Sequence, residues 1–167
     1  MSTFYPAMKM TMGKWKYYVV RMTMEDVAKN INFAHEIHEN PTLDTWIQRA
    51  INEPRVKNQI VKYLSQNDHR FFSSIVVAGL DGSPSFWGLD VTRDEKFAMM
   101  KERVADTFGV ISFDETIQTY ALDGQHRLSA IKKLINDPSG YTVPDNFSKE
   151  TLSVIYLLQD PGQKQED

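Results

Sequence analysis

Asp123, Gly124, Gln125, His126 and Arg127 put a carboxylate, a residue without Cβ, a carboxamide, an imidazole and a guanidinium in unbroken succession. Side chains of these types suit the binding of an oxyanion. Arg127 offers a planar fork that matches phosphate oxygens, and His126 can donate a hydrogen bond or, when protonated, add a charge. Gln125 adds amide donors. Gly124 can adopt positive φ and lets a ligand come close to the backbone.

The elements on either side decide whether these groups converge. Ile117, Thr119, Tyr120 and Leu122 predict a pleated, partly buried strand over 117–122. From Arg127 onward Leu128, Ile131, Leu134 and Ile135 recur at helical spacing, and Asp137-Pro138-Ser139-Gly140 ends that helix. A strand that turns directly into a helix places the polar cluster at the helix N-terminus, where backbone N–H groups and the positive dipole end favour an anion.

Asp123 complicates this, because a carboxylate at the N-cap competes with phosphate for the same donors. It can cap the helix from the side away from the ligand, pair with Arg127, or hold a Mg²⁺ that bridges to phosphate. The plain alternative is an Asp-Gly turn followed by a solvated basic helix end. A Mg²⁺-dependent nucleotide hydrolase or nuclease would use Asp123 on the metal and His126 as acid or base. It would need further carboxylates from distant positions such as Asp90, Asp94 or Asp114.

The remaining pattern predicts a single α/β domain, a small mixed sheet with packed helices. Residues 1–12 hold Met1, Met8, Met10 and Met12 among Phe4, Tyr5 and Pro6, expected as an edge strand or core packing rather than an adaptable binding surface. A strand over 15–22 leads into a helix that starts at Thr23-Met24-Glu25-Asp26 and runs toward Phe33. Short helices are expected over 43–51 and 54–64, the second opening at Pro54. A strand is expected over 71–80, a return strand over 85–89 and a helix over 94–104. Strands over 108–113 and 117–122 would form a hairpin, and a last strand spans 152–157. His35 and His38 lie three apart without a third convincing ligand, and a polar loop or solvated helix end is expected there instead of a metal site.

With 167 residues, 41% hydrophobic and 25% charged, the chain suits one globular domain with a real core. No stretch approaches the about 20 apolar residues of a membrane span, and a soluble, cytoplasmic domain without membrane contact is expected. A net charge of -3 gives no general nucleic-acid footprint, so DNA contact requires a local basic patch or a further part of the protein.

Asp123 to Arg127 spell D-G-Q-H-R, and in this the chain resembles the DGQHR-domain proteins, the DndB-like family of bacterial DNA phosphorothioation systems, related to the ParB/sulfiredoxin superfamily. Phe4-Tyr5-Pro6-Ala7, Tyr17-Tyr18-Val19, Gln48-Arg49 with Asn52, Arg55, Ile60 and Tyr63, and the strand after the motif helix follow in the family's order. The resemblance implies a ParB/sulfiredoxin-like domain over 1–160 with a polar tail over 161–167. DndB-like proteins continue into a mainly helical half, so an excised domain or a short family member is expected. It further implies regulation of DNA sulfur modification or a related defence system. Nucleotide (ATP or another), DNA and other DNA-modification proteins would be the partners, Mg²⁺ a candidate cofactor, and Arg49 and Arg55 additional basic ligands. A Cys count of 0 excludes the cysteine chemistry of sulfiredoxins. A non-catalytic interaction module, in which the motif only shapes the fold, is the remaining expectation.

Overall fold

The computed structural model describes residues 3–33, 56–80, 82, 84–105 and 107–158. It begins with a hairpin. β1 (Thr3–Met12) and β2 (Trp15–Thr23) pair antiparallel up to Met12↔Trp15, and Gly13, at φ +58°, makes the two-residue turn. β2 alternates as a half-covered strand should, with Tyr18, Val20 and Met22 buried. Thr23 then caps α1 (Met24–Asn30) with a reciprocal capping box: its Oγ1 accepts from Asp26 N–H at 3.1 Å, and Asp26 Oδ2 accepts from Thr23 N–H at 3.1 Å. The helix stops before Phe33 because Ile31 turns extended and, with Asn32, forms β3 beside β7.

After a π-helical turn over Val56–Val61, α2 (Lys62–Gln66) buries Leu64. There follow β4 (Ile75–Leu80), β5 (Ser85–Gly88), α3 (Lys101–Val104), β6 (Phe108–Phe113), β7 (Gln118–Asp123), α4 (Gln125–Asn136) and β8 (Thr151–Leu157). The eight strands form one mixed sheet in the order β3-β7-β4-β8-β2-β1-β6-β5, with β3/β7 and β4/β8 parallel and the other neighbours antiparallel. The protein is a single-domain mixed α/β structure.

α1 and α4 pack together over one face of the sheet. Leu128, Ala130, Ile131 and Leu134 of α4 join Val20, Ile75, Val77, Ala121, Val154 and Tyr156 in the core. The opposite face is open toward the β5 edge. There Phe4, Met8, Met10, Met12, Trp15 and Trp87 are exposed, with the Phe4 and Trp87 rings 6.0 Å apart.

Several expectations are corrected. β1 is an interior strand between β2 and β6, and its methionines line the open face instead of an edge or the core. β6 and β7 are not a hairpin: β6 pairs with β1 and β5, and β7 with β4 and β3. β5 likewise returns on β6, not on β4. The helix expected over 94–104 is broken into short 3₁₀ turns and α3, and Phe97 and Met100, which its apolar stripe would have buried, stay exposed. The strand expected from Phe71 begins only at Ile75, because 70–74 is held by side-chain bonds instead of a ladder. The positions 34–55, including the 43–51 helix, and the tail lie outside the described residues.

This topology gathers one end of the sheet. The end of β7 (Asp123↔Val76), the starts of β4 and β8 (Ile75↔Val154) and the end of β2 (Thr23↔Thr151) all lie there.

Candidate functional site

β7 ends in a register shift between Val76 and Val77 of its partner β4, so Asp123 sits beyond a bulge that re-aims the chain. Gly124 follows at φ +87°, ψ +24°, the left-handed conformation anticipated for it, and is the N-cap of α4. Asp123 is therefore not the cap. Its Oδ1 accepts from the Gly124 N–H at 2.8 Å, and its Oδ2 lies 3.9 Å from Arg127 Nη2. Of the arrangements open to Asp123, the structure takes the pairing with Arg127. At that distance the pair is coulombic and not hydrogen-bonded.

Arg127 reaches back against the turn that precedes it. Its Nη1 donates to Ser73 Oγ, in the chain running into β4. Its Nε is buried with no hydrogen-bond partner among the described residues, and the side chain as a whole keeps 23% of its surface exposed. The Nε–Nη2 edge faces Gly124 so closely that a Cβ built there would stand 2.8 Å from Nη2, 3.0 Å from Nε and 3.2 Å from Ile75 Cγ1. Glycine at 124 thus serves both the backbone angle and the seating of the guanidinium. Gln125 and His126 are half-buried on the first turn of α4, each with interactions of its own.

Beside this turn lies a cleft of about 410 Å³, lined by residues 68, 70–74 and 150–153 together with Met24 and Leu64. Its floor is well anchored. Arg70 Nε donates to Glu150 Oε2 at 2.9 Å, its Nη2 pairs with Oε1, and its Nη1 donates to the Asn67 carbonyl at 3.0 Å. Hydrogen bonding to Glu150 raises the Arg70 pKa further, so this guanidinium stays charged. The Phe71 N–H donates to Tyr63 Oη at 2.8 Å, and the Tyr63 ring stacks on Phe72 with centroids 6.0 Å apart. None of Ser73, Arg70 and Glu150 was anticipated as part of the site. The only signal was the polar pair Ser73-Ser74 just before an apolar strand, and the contact it makes spans 54 positions of sequence.

The carboxylates considered as partners for Asp123 are not brought to it. Asp90 follows β5 at the opposite edge of the sheet, and Asp114 lies at the far end of β7, about 20 Å away along an extended strand. Both are occupied by their own turns. Asp90 accepts from Thr92 and Asp114 from Thr116, bonds that hold each carboxyl below its usual range. Asp94 likewise accepts from Lys96 N–H at 3.0 Å. Among the described residues no group of three or more His, Asp or Glu is placed to hold a metal ion. His35, His38, Arg49 and Arg55 lie outside the described residues.

The model of the family DndB, DNA-sulfur modification-associated, matches residues 5–167. The chain belongs to the DndB family. No curated protein and no solved structure matches it. The DndB match runs from β1 through the motif turn and β8, so the sheet, its helical layer and the Asp123–Arg127 turn all lie within the family region. Membership ties the chain to DNA sulfur modification. Among the described residues of this DndB-family chain no helix is long and apolar enough to cross a membrane.

Proposed function

We propose that the Asp123–Arg127 turn binds a phosphate group of a nucleotide or of DNA, and that the domain acts through this binding in the regulation of DNA sulfur modification. The observation that carries the proposal is Arg127: a guanidinium seated against Gly124 at the positive end of α4, tied among the described residues to a serine hydroxyl and to a carboxylate at 3.9 Å. A phosphate presenting two oxygens in the plane of the fork makes shorter, charge-assisted bonds than that loose pair and would displace it. Asp123 then acts as a place-holder that keeps the arginine oriented. ATP or another nucleotide is the simplest source of the phosphate, with or without Mg²⁺.

The competing proposal, a Mg²⁺-dependent hydrolase or nuclease, gives Asp123 the opposite role of metal ligand. Asp123→Asn separates the two. The asparagine Oδ1 can still accept from Gly124 N–H while the competing charge is gone, so the binding role predicts pyrophosphate and ATP affinity equal to or a few-fold above the wild type, without Mg²⁺. Arg127→Ala should lose at least tenfold, the loss of a charge-assisted bidentate contact. Calorimetric titration with pyrophosphate, ATP and a short DNA, with and without Mg²⁺, checks both variants. Binding that requires Mg²⁺ and disappears in Asp123→Asn, with turnover in the wild type, would replace the binding role with the enzymatic one. No binding by any ligand would leave a non-catalytic interaction module.

A further inference from the structure

We propose that the cleft beside the motif is the nucleoside half of the same site, and that Phe71 is the platform on which an unpaired base stacks. The inference rests on the phosphate-binding role proposed for Arg127 and assigns its ligand as a nucleoside monophosphate unit with a free base face.

Phe71 keeps 83% of its surface exposed while it lines the cleft. An isolated exposed phenylalanine needs no explanation, but this one sits in a fixed stretch of backbone. Arg70 is pinned to Glu150 and to Asn67, the Phe71 N–H is bound by Tyr63 Oη, and Phe72 is stacked on Tyr63. Its neighbours are anchored on both sides, and the Phe71 ring stands out from them into solvent at the cleft. Two residues on, Ser73 receives the Arg127 guanidinium. Phe71 and Ser73 both line the cleft, two residues apart, so a ligand seated in it meets the exposed ring and the residue that holds the Arg127 guanidinium.

The rest of the lining fits a sugar and a base. The Ser74 and Ser153 hydroxyls bond each other and keep further donor and acceptor capacity for a sugar, the Arg70–Glu150 pair neutralises itself and leaves Asp68 as the remaining charge, and Leu64 and Met24 form the apolar wall. A volume of about 410 Å³ falls within the range of small-ligand sites. Stacking on a ring accepts any base, because each has a π-face, and requires that the base be unpaired. A free nucleotide and single-stranded DNA share this chemistry; a duplex does not.

The test titrates wild type, Phe71→Ala, Phe71→Trp and Arg127→Ala with pyrophosphate, dAMP, an oligo-dT single strand and its dT·dA duplex, with melting curves for each. Loss of one stacked base costs about tenfold in affinity. Phe71→Ala should therefore bind dAMP or oligo-dT about tenfold more weakly, bind pyrophosphate as the wild type does, and melt normally, while Phe71→Trp keeps or exceeds wild-type affinity. Oligo-dT binding well above dAMP identifies a strand as the source, and equal binding identifies a free nucleotide. Phe71→Ala binding dAMP and oligo-dT normally, while Arg127→Ala binds nothing, overturns the stacking subsite and leaves the phosphate role standing. Loss in Phe71→Ala with none in Arg127→Ala supports the subsite and overturns the phosphate role. Duplex binding tighter than single strand, or no binding of any probe by the wild type, overturns the subsite.

Discussion

Substituting Gly124 by alanine acts on the backbone and on the site together, and the two parts can be measured apart. At φ +87° an L-residue pays about 1–2 kcal/mol relative to glycine. The new methyl would stand 2.8 Å from Arg127 Nη2 and 3.0 Å from Nε, closer than real contacts allow, so the flexible guanidinium must swing away. It then loses Ser73, a partly exposed charged hydrogen bond worth about 1 kcal/mol. The total of about 2–3 kcal/mol corresponds to a fall in Tm of about 4–12 °C for a chain of this size. In an Arg127→Ala background the clash with the guanidinium is gone, and the remaining 3.2 Å approach to Ile75 Cγ1 is relieved by a shift of a few tenths of an ångström. There the same substitution should cost only the backbone part, about 1–2 kcal/mol, which gives a coupling of about 1 kcal/mol in the double-mutant cycle. Thermal melts of the four proteins and pyrophosphate titrations on the same preparations check this. Gly124→Ala should melt early and bind weakly. A Tm within about 1 °C of wild type would refute the left-handed strain, and normal pyrophosphate binding in the folded fraction would leave Asp123-Gly124 as an ordinary turn.

Further outcomes follow from contacts elsewhere in the fold. Thr23→Ala removes half of the capping box of α1 and should cost about 1 kcal/mol in urea denaturation; no change would show that α1 is held by packing alone. Glu150→Ala leaves the Arg70 guanidinium, whose side chain is 13% exposed, without its carboxylate and should destabilise by about 1–3 kcal/mol, while Glu150→Gln recovers part of this. Burial, with the Asp26 carboxylate beside it, pushes the Tyr5 hydroxyl up to about 12. Because that value is raised in the folded state, its contribution to stability is intact below about pH 10 and is lost as pH rises toward 12. The urea midpoint should fall between about pH 10 and pH 12, less steeply in Tyr5→Phe; an identical slope in the variant would contradict the assignment.

Where local chemistry settles the structure, the sequence could be followed closely. Gly124 between an alternating strand and a helical stripe announces a left-handed turn, and Thr23 with Asp26 three residues on announces a helix start. β2 and β8 appear within a residue of their expected limits, because alternation in Tyr, Val, Ile and Leu reports a half-covered strand directly. Strand partners are another matter. β6 and β7 are joined by a short turn that suits a hairpin, yet β6 completes the edge beside β1 and β7 is drawn between β3 and β4, a choice made by the buried faces of distant segments. The apolar spacing of Phe97, Met100 and Val104 is genuine, but Phe97 and Met100 stay exposed and only Val104 is half-buried, so periodicity alone overstated that helix. In the site, the convergence of Asp123, Gly124 and Arg127 was legible because all three are local. Ser73, Phe71 and the Arg70–Glu150 pair were not, since each depends on where β4 and β8 begin relative to the end of β7.

Backbone amide spectra followed through a phosphate titration test the central claim most directly. With ¹⁵N-labelled protein and increasing pyrophosphate, the amides of Gly124, Gln125, His126 and Arg127 should shift together along one saturable curve, accompanied by the Arg127 Nε–H resonance, and should not move in Arg127→Ala. Saturable binding whose shifts fall elsewhere on the sheet while these amides stay still would contradict the assignment of the phosphate to the Asp123–Arg127 turn.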